Sequence, residues 1–107
     1  MQRAYLFVES SGPLVFDGLK AVCWFINMSS SITSPRIINV TPGVLYSFVF
    51  TQNRVGGHTM NWPGSVINAA QIDPTPLSTT TMTFIADIDS DLYPNISPTW
   101  SNTGAQP

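Results

Sequence analysis

Charge is what this sequence has least of. Only 10 of its 107 residues are charged, four Lys or Arg and six Asp or Glu, which is 9% against about 25% in an ordinary soluble domain. The net charge is −2 and the four cations are scattered along the chain. Such a chain has no basic patch for a phosphate backbone and no polybasic segment for anionic lipid. We therefore expect neither nucleic acid nor a membrane as its partner.

Cysteine and helix-forming residues are also scarce. The single cysteine, Cys23, excludes an intramolecular disulfide and a cysteine-based zinc site, and its apolar surroundings predict a buried structural thiol. There is one Lys, one Glu and nine Pro, and no apolar stripe at helical spacing with caps at its ends. We find neither a signal-peptide pattern nor an apolar run long enough to span a bilayer, so we expect a soluble protein that is not marked for secretion.

What the chain does have is strand chemistry. Short apolar segments rich in β-branched and aromatic residues alternate with Gly, Pro, Asn and Ser, and Ser, Thr and Asn together supply 30 residues. This pattern predicts an all-β fold, a β-sandwich or jelly-roll-like single domain of about seven or eight strands. We place that domain at residues 1–96 and read residues 97–107 as a polar C-terminal tail.

Two of the predicted strands carry most of the interpretation. Residues 21–27 are the most apolar stretch and are predicted to form a central strand covered on both faces. Residues 44–52 alternate, so that Tyr46 and its neighbours at every second position should face the core. Residues 58–62 are predicted to be the hairpin partner of that strand. The remaining predicted strands are residues 5–8, 14–16, 36–40, 79–88 and 92–93.

The sequence offers little catalytic chemistry. His58 is the one histidine, and no G-x-S-x-G nucleophile elbow or oxyanion-loop signature accompanies it. The pair Gly56-Gly57 is followed by no Lys-Ser/Thr, so we interpret it as a hairpin loop rather than a phosphate loop. We therefore predict that the protein is not an enzyme.

The spacing Asp87-x-Asp89-x-Asp91 forms the one acidic cluster. Oxygens at every second residue resemble the opening of a calcium loop, but Leu92 stands where that loop needs Gly and Pro98 where it needs Glu. The alternative is a solvated turn, with Asp87 and Asp89 on the outer face of a strand. We favour the turn and predict no metal and no cofactor.

Aromatic residues divide into core and surface candidates. The strand pattern assigns Trp24 and Tyr46 to the core, whereas Trp62 and Trp100 adjoin Pro and Ser in predicted loops. An exposed indole in such a loop could stack on a sugar or lie in a subunit interface. The candidate interface or glycan-binding residues are His58, Trp62, Tyr93 and Trp100.

Residues 43–63 carry an ordered pattern: a Gly-x-x-Tyr strand, here Gly43 to Tyr46, leads through a Gln-Asn…Gly-Gly loop to the segment Thr59-Met60-Asn61-Trp62-Pro63. This order resembles a module of bacteriophage virion proteins, in which the loop is Gln-Asp/Asn…Gly-Gly and the strand after it is Thr-Val-x-Trp/Phe-Pro. A proline-containing loop at 72–76, a Thr-rich strand and an acidic turn ending in a Tyr follow in the same order, and the resemblance covers residues 14–96. One departure is Asp89-Ser90-Asp91, where the family usually has Asp-Gly-Gly.

This resemblance implies a β-sandwich or jelly-roll-like module found in tail fibres, head fibres and head-decoration proteins, usually as a homotrimer and without catalytic residues. The expected function is a virion structural protein that assembles on the phage particle, with itself and with major capsid or other virion proteins as partners. The alternative is a receptor- or glycan-binding fibre tip that contacts a host-surface glycan. The near absence of charge suits permanent assembly, because few charges need be desolvated in an interface.

Overall fold

A computed structural model describes residues 5–11 and 14–95 of the chain. Within these ranges there is no helix, and seven strands form two sheets, which confirms the all-β prediction. The strands are β1 (Tyr5–Glu9), β2 (Val15–Asp17), β3 (Cys23–Met28), β4 (Arg36–Ile38), β5 (Leu45–Gln52), β6 (Thr79–Ala86) and β7 (Leu92–Pro94).

The first five strands alternate between the two sheets. The larger sheet has the order β1-β3-β5-β6-β7, and the smaller one pairs β2 with β4. Neighbours among β1, β3 and β5 are parallel, as are β2 and β4, whereas β5, β6 and β7 are antiparallel. Each parallel connection therefore contains a strand of the other sheet, which serves as the crossover that parallel pairing requires.

The hydrophobic core lies on one face of the larger sheet. Tyr46, Phe48 and Phe50 of β5 are fully buried there, as the alternation of residues 44–52 predicts. Phe16 of the smaller sheet packs edge-on against Phe48, with ring centroids 5.3 Å apart, and so covers one part of this face. The other buried apolar residues are Ala21, Trp24, Ile26, Met28, Ile32, Met60, Val66, Ile72, Phe84, Ala86 and Leu92.

A long loop covers the rest of the core face. Residues 58–78 run over it without forming a strand, and two isolated bridges, Met60 with Ile32 and Val66 with Leu92, join them to the body of the fold. The ring of Trp62 packs edge-on against Phe50 and Phe84 at 5.6 and 5.2 Å. The loop thus supplies apolar cover where the small sheet does not reach.

Two predictions about strand environment are wrong. Residues 58–62 are not the hairpin partner of β5, because β6 occupies that position and pairs antiparallel with it from Leu45 to Thr51. The central strand β3 is covered on one face, not both, since Asn27 is exposed and Phe25 is half-buried on the other side. The finer prediction of a sandwich or jelly roll stays a prediction.

Candidate interaction surface

The second face of the larger sheet has no strand packed over it among residues 5–11 and 14–95, and we call it the open face. Its members follow from the strand register and from the alternation of side chains along each strand. They are Tyr5, Phe7 and Glu9 of β1, Cys23, Phe25 and Asn27 of β3, Leu45, Ser47, Val49 and Thr51 of β5, Thr79, Thr81, Thr83 and Ile85 of β6, and Tyr93 of β7.

Three rings form an aromatic corner at the β1 edge of the open face. Phe7 stacks on Phe25 with centroids 5.2 Å apart, and Tyr5 meets both rings edge-on at 6.0 and 5.8 Å. Phe7 is nevertheless 77% exposed. A shallow groove of about 360 Å³ lies beside these rings and continues to Thr51. An aromatic cluster left this exposed is typical of an interaction surface.

The other half of the open face is made of hydroxyl and aliphatic side chains. The Ser47 and Thr83 hydroxyls are 3.1 Å apart across β5 and β6, so they hydrogen-bond within the sheet. Thr81 lies beside Val49, and Ile85 lies beside Leu45. Because β-branched side chains pack closely on a pleated surface, this half of the open face is flat. It also contains no charged side chain among its described residues.

Charge is almost absent from the open face. Among its fifteen described residues Glu9 alone is charged, and both of its carboxylate oxygens accept hydrogen bonds from Nδ2 of Asn27, at 3.2 and 3.1 Å. The lysine and the two arginines in the described ranges lie elsewhere, Lys20 and Arg54 outside the strands and Arg36 on the smaller sheet. The surface therefore combines aromatic and aliphatic side chains with uncharged hydroxyl groups, and its one carboxylate is hydrogen-bonded to Asn27.

The edge strand β1 is fixed in place by a buried serine. The Ser10 backbone N–H donates to the carbonyl of Asn27, and its hydroxyl oxygen accepts from the backbone N–H groups of Ser29 and Ser30, both at 2.9 Å. These bonds tie the end of β1 to the turn that follows β3. The aromatic corner consequently sits on a positioned strand rather than on a loose terminus.

The predicted site residues do not converge. His58 lies beyond the carboxyl end of β5, where its Nε2 is 3.1 Å from Oδ1 of Asn53. Trp62 packs on the core face, and its Nε1 donates to the carbonyl of Ala70 at 3.2 Å. Tyr93 lies on the open face at the opposite end of the sheet, in the row of Ile85 and Leu45.

His58, Trp62 and Tyr93 therefore do not form one glycan site. The Trp62 ring is half-buried against the core, so it does not present a flat face on which a sugar could stack. Trp100 lies outside the described residues, as does the predicted tail. Its part in an interface or a glycan site stays a prediction. The open face instead brings together residues that the sequence interpretation did not single out.

The acidic cluster forms a turn in which backbone N–H groups donate hydrogen bonds to the Asp87 carboxylate. One carboxylate oxygen of Asp87 accepts from the backbone N–H groups of Asp89 and Asp91, both at 2.9 Å. The prediction that Asp87 and Asp89 lie on a strand is wrong, because β6 ends at Ala86. The negative charge of Asp87 raises the pKa of Tyr93 above its ordinary value, with smaller contributions from burial and from Asp91.

The motif that carries the phage resemblance has a structural role in this chain. Buried Gln52 donates through Nε2 to the carbonyls of His58 and Asp73, at 2.7 and 3.1 Å, and its Oε1 accepts from the His58 N–H. Gly56 has φ +68°, and a Cβ there would lie 2.7 Å from the carbonyl oxygen of Pro74. Through these contacts the Gln-Asn…Gly-Gly loop holds the covering loop, residues 58–78, against the core.

Cys23 is half-buried on the open face, beside Ser47. The prediction of a buried structural thiol is wrong, because β3 has cover on its other side only. Within the described ranges, no group of three or more His, Cys, Asp or Glu side chains is arranged to hold a metal ion. The same ranges hold no helix with the length and hydropathy needed to cross a membrane.

Comparison with known proteins found no matching family model, no matching curated protein and no matching solved structure. The resemblance to phage modules accordingly rests on the ordered residues of the sequence. The candidate surface rests on the geometry of the sheet.

The sequence did carry a signal for the open face. In β5 the residues between the aromatic ones are Leu45, Ser47, Val49 and Thr51, an uncharged and mixed set. A solvent-facing strand ordinarily alternates apolar with charged or strongly polar residues. The lack of Lys and Glu at the outward positions of β3, β5 and β6 is the feature that sequence analysis could have used.

Proposed function

We propose that this protein is a structural component of a bacteriophage virion, a small head-decoration or fibre module that assembles with copies of itself on the particle. It acts there by stabilising the shell or by presenting a surface. The observation that carries this proposal is the open face, a nearly uncharged sheet surface with an exposed aromatic corner, on a chain whose residues 14–96 resemble virion modules in order.

The physical argument is one of desolvation. Transferring charged groups into an interface costs free energy that their new contacts often fail to recover. The open face has one carboxylate, that of Glu9, which already accepts hydrogen bonds from Asn27, so it avoids most of that desolvation cost. Apolar burial then contributes roughly 25 cal/mol for each Å² removed from water. Such a surface is suited to lasting protein contacts and poorly suited to recognising charged ligands.

The motif residues support a scaffold more than a catalyst. Gln52 and Gly56 fasten the covering loop, and the Trp62 ring completes the core. These contacts pack the core side of the larger sheet, so that the open face on its other side is a preformed surface. Preformed surfaces lose little conformational entropy on association.

Localisation on the particle tests the proposal. Antibodies raised against the recombinant chain should label purified virions of the phage that encodes it, at regular positions seen by negative-stain electron microscopy. Peptides of the chain should also be found when those virions are digested and analysed by mass spectrometry. A chain present in the infected-cell lysate but absent from purified particles would overturn the proposal.

A further inference from the structure

We infer that the open face is covered by another copy of this chain, packed through its own open face. The inference rests on the proposed function, since it names the partner and the surface of self-assembly. It concerns the face that carries the aromatic corner of Tyr5, Phe7 and Phe25 and the central pair Val49 and Thr81.

Charge is the first argument for a second copy. Two identical surfaces brought together repel each other if they carry net charge, and among its described members this face carries only Glu9, at one corner, while the acidic turn of Asp87 and Asp91 borders Tyr93 at the other end. A strongly acidic partner would find no cation among the described residues of the face. A neutral and apolar surface is the kind that is compatible with itself.

Area is the second argument. Five strands spaced about 4.8 Å apart, with outward side chains over some seven residues of β6, present on the order of 500 Å². Two copies would therefore bury about 1,000 Å² together, which meets the minimum for a biological interface and falls just short of the roughly 1,200 Å² at which stable interfaces begin. The area is that of a contact whose population depends on protein concentration.

Shape is the third argument. Sheets that pack face to face lie about 10 Å apart and interdigitate the side chains of alternate residues. Val49 and Thr81 give the centre of the face a low relief, while the groove beside Phe7 and Phe25 offers a recess for an apolar side chain of the other copy. The pairing would give the larger sheet the second covered face that its sequence composition suggests.

A charge at the centre of the face tests the inference. The mass of the assembly is measured by size-exclusion chromatography with light scattering, over a wide range of protein concentration, for the wild-type chain and for Val49→Lys. The wild type should be a dimer, because two open faces packed on each other close the contact with two copies. Val49→Lys should dissociate at least about a hundredfold more readily, because each copy would bury an unpaired ammonium group.

The matched control is Val55→Lys, the same substitution at a loop position that is 76% exposed and away from the face. It should leave the assembly intact. Thr81→Lys, at an exposed neighbour of Val49, guards against misfolding and should also dissociate the oligomer. Far-ultraviolet circular dichroism confirms that each variant retains its strands.

The single cysteine supplies a second measurement. Cys23 lies on the open face, so in the wild type its labelling by a maleimide should slow as protein concentration and assembly increase. In Val49→Lys the labelling rate should not depend on concentration. An oligomer whose Cys23 labelling is insensitive to assembly, or which survives both lysine substitutions, would overturn the inference.

The two proposals fail in different ways. A chain that is found on virions but is monomeric in solution at every concentration keeps the proposed function and refutes the self-packing of the open face. An oligomer that responds to Val49→Lys but is absent from purified particles supports the self-packing and refutes the virion role.

Discussion

The two faces of the larger sheet are built from alternate residues of the same strands, yet they differ in what covers them. Along β5, Tyr46, Phe48 and Phe50 are fully buried, while Leu45 and Thr51 on the other side are exposed. Both faces are uncharged over most of their area. The comparison shows that apolar character makes a strand face suitable for burial, and that the long-range path of the chain decides whether burial takes place.

Deleting a ring from each face should give the largest difference. Phe48→Ala removes a side chain with no exposed surface and should lower the free energy of unfolding by about 3–5 kcal/mol. Phe25→Ala, on the open face and half-buried, should lower it by about 1 kcal/mol. Urea unfolding measures both, in the Thr81→Lys background so that assembly does not contribute. Equal losses would mean that the two faces are equally covered.

A polar substitution on β5 should separate the faces next. Gln52→Leu leaves the carbonyls of His58 and Asp73 without their donor in a buried place, so we expect a loss of about 2–3 kcal/mol. Thr51→Val, one residue away on the open face, should change stability by less than about 0.5 kcal/mol. Urea unfolding again measures both variants. If Gln52→Leu left the free energy of unfolding unchanged, the hydrogen bonds of Gln52 to the covering loop would be dispensable.

Two tyrosines sharpen the comparison further. The Tyr46 hydroxyl accepts the Thr41 N–H at 2.7 Å on the core side, so Tyr46→Phe should cost about 1 kcal/mol. Tyr5→Phe removes an exposed hydroxyl from the aromatic corner and should leave the unfolding midpoint unchanged. The prediction fails if Tyr5→Phe is the more damaging of the two.

The smallest expected effect is a pH dependence at the end of the open face. Because Asp87 raises the pKa of Tyr93, the folded chain disfavours tyrosinate, and stability present below about pH 10 should be lost as the pH rises through the folded pKa. Asp87→Asn keeps an acceptor for the turn but removes the charge. The Tyr93 pKa is measured by titrating tyrosine absorbance at alkaline pH and subtracting the titration of the matching chain that carries Tyr93→Phe. In Asp87→Asn this pKa should fall toward its ordinary value.

Asp73→Asn is the control for that titration, since its carboxylate serves a different loop through the Thr75 N–H. It should leave the Tyr93 titration unchanged. A Tyr93 pKa that does not respond to Asp87→Asn would show that burial, rather than the neighbouring charge, sets it.

Local patterns predicted the strands well and their partners poorly. The alternation in residues 44–52 identified the core side chains of β5, and the Thr-rich segment was correctly predicted as a strand. The Gly56-Gly57 loop suggested a hairpin, but Gln52 and Pro74 hold that loop against the core while residues 79–86 pair with β5. Sequence shows where a chain turns, whereas the pairing partner depends on contacts far along the chain.

The open face was missed for a related reason. Cys23 and Phe25 are apolar, so the strand that contains them was predicted to be covered on both sides, and nothing local distinguishes cover by the same chain from cover by another. Of the candidate interface residues, Tyr93 is exposed on the open face, whereas the ring of Trp62 packs against Phe50 because the loop that carries it folds back over the core. The charge-poor outward positions were the more informative signal.

The alternation of the first five strands between two sheets has a consequence for biosynthesis. No two consecutive strands among β1 to β5 are hydrogen-bonded neighbours, so no hairpin can form from them as they leave the ribosome. The first consecutive pair is β5 with β6, which is complete only at Ala86. Antiparallel pairing therefore has to wait for nearly all of the described chain, and a product truncated before β6 would leave β5 without its antiparallel neighbour.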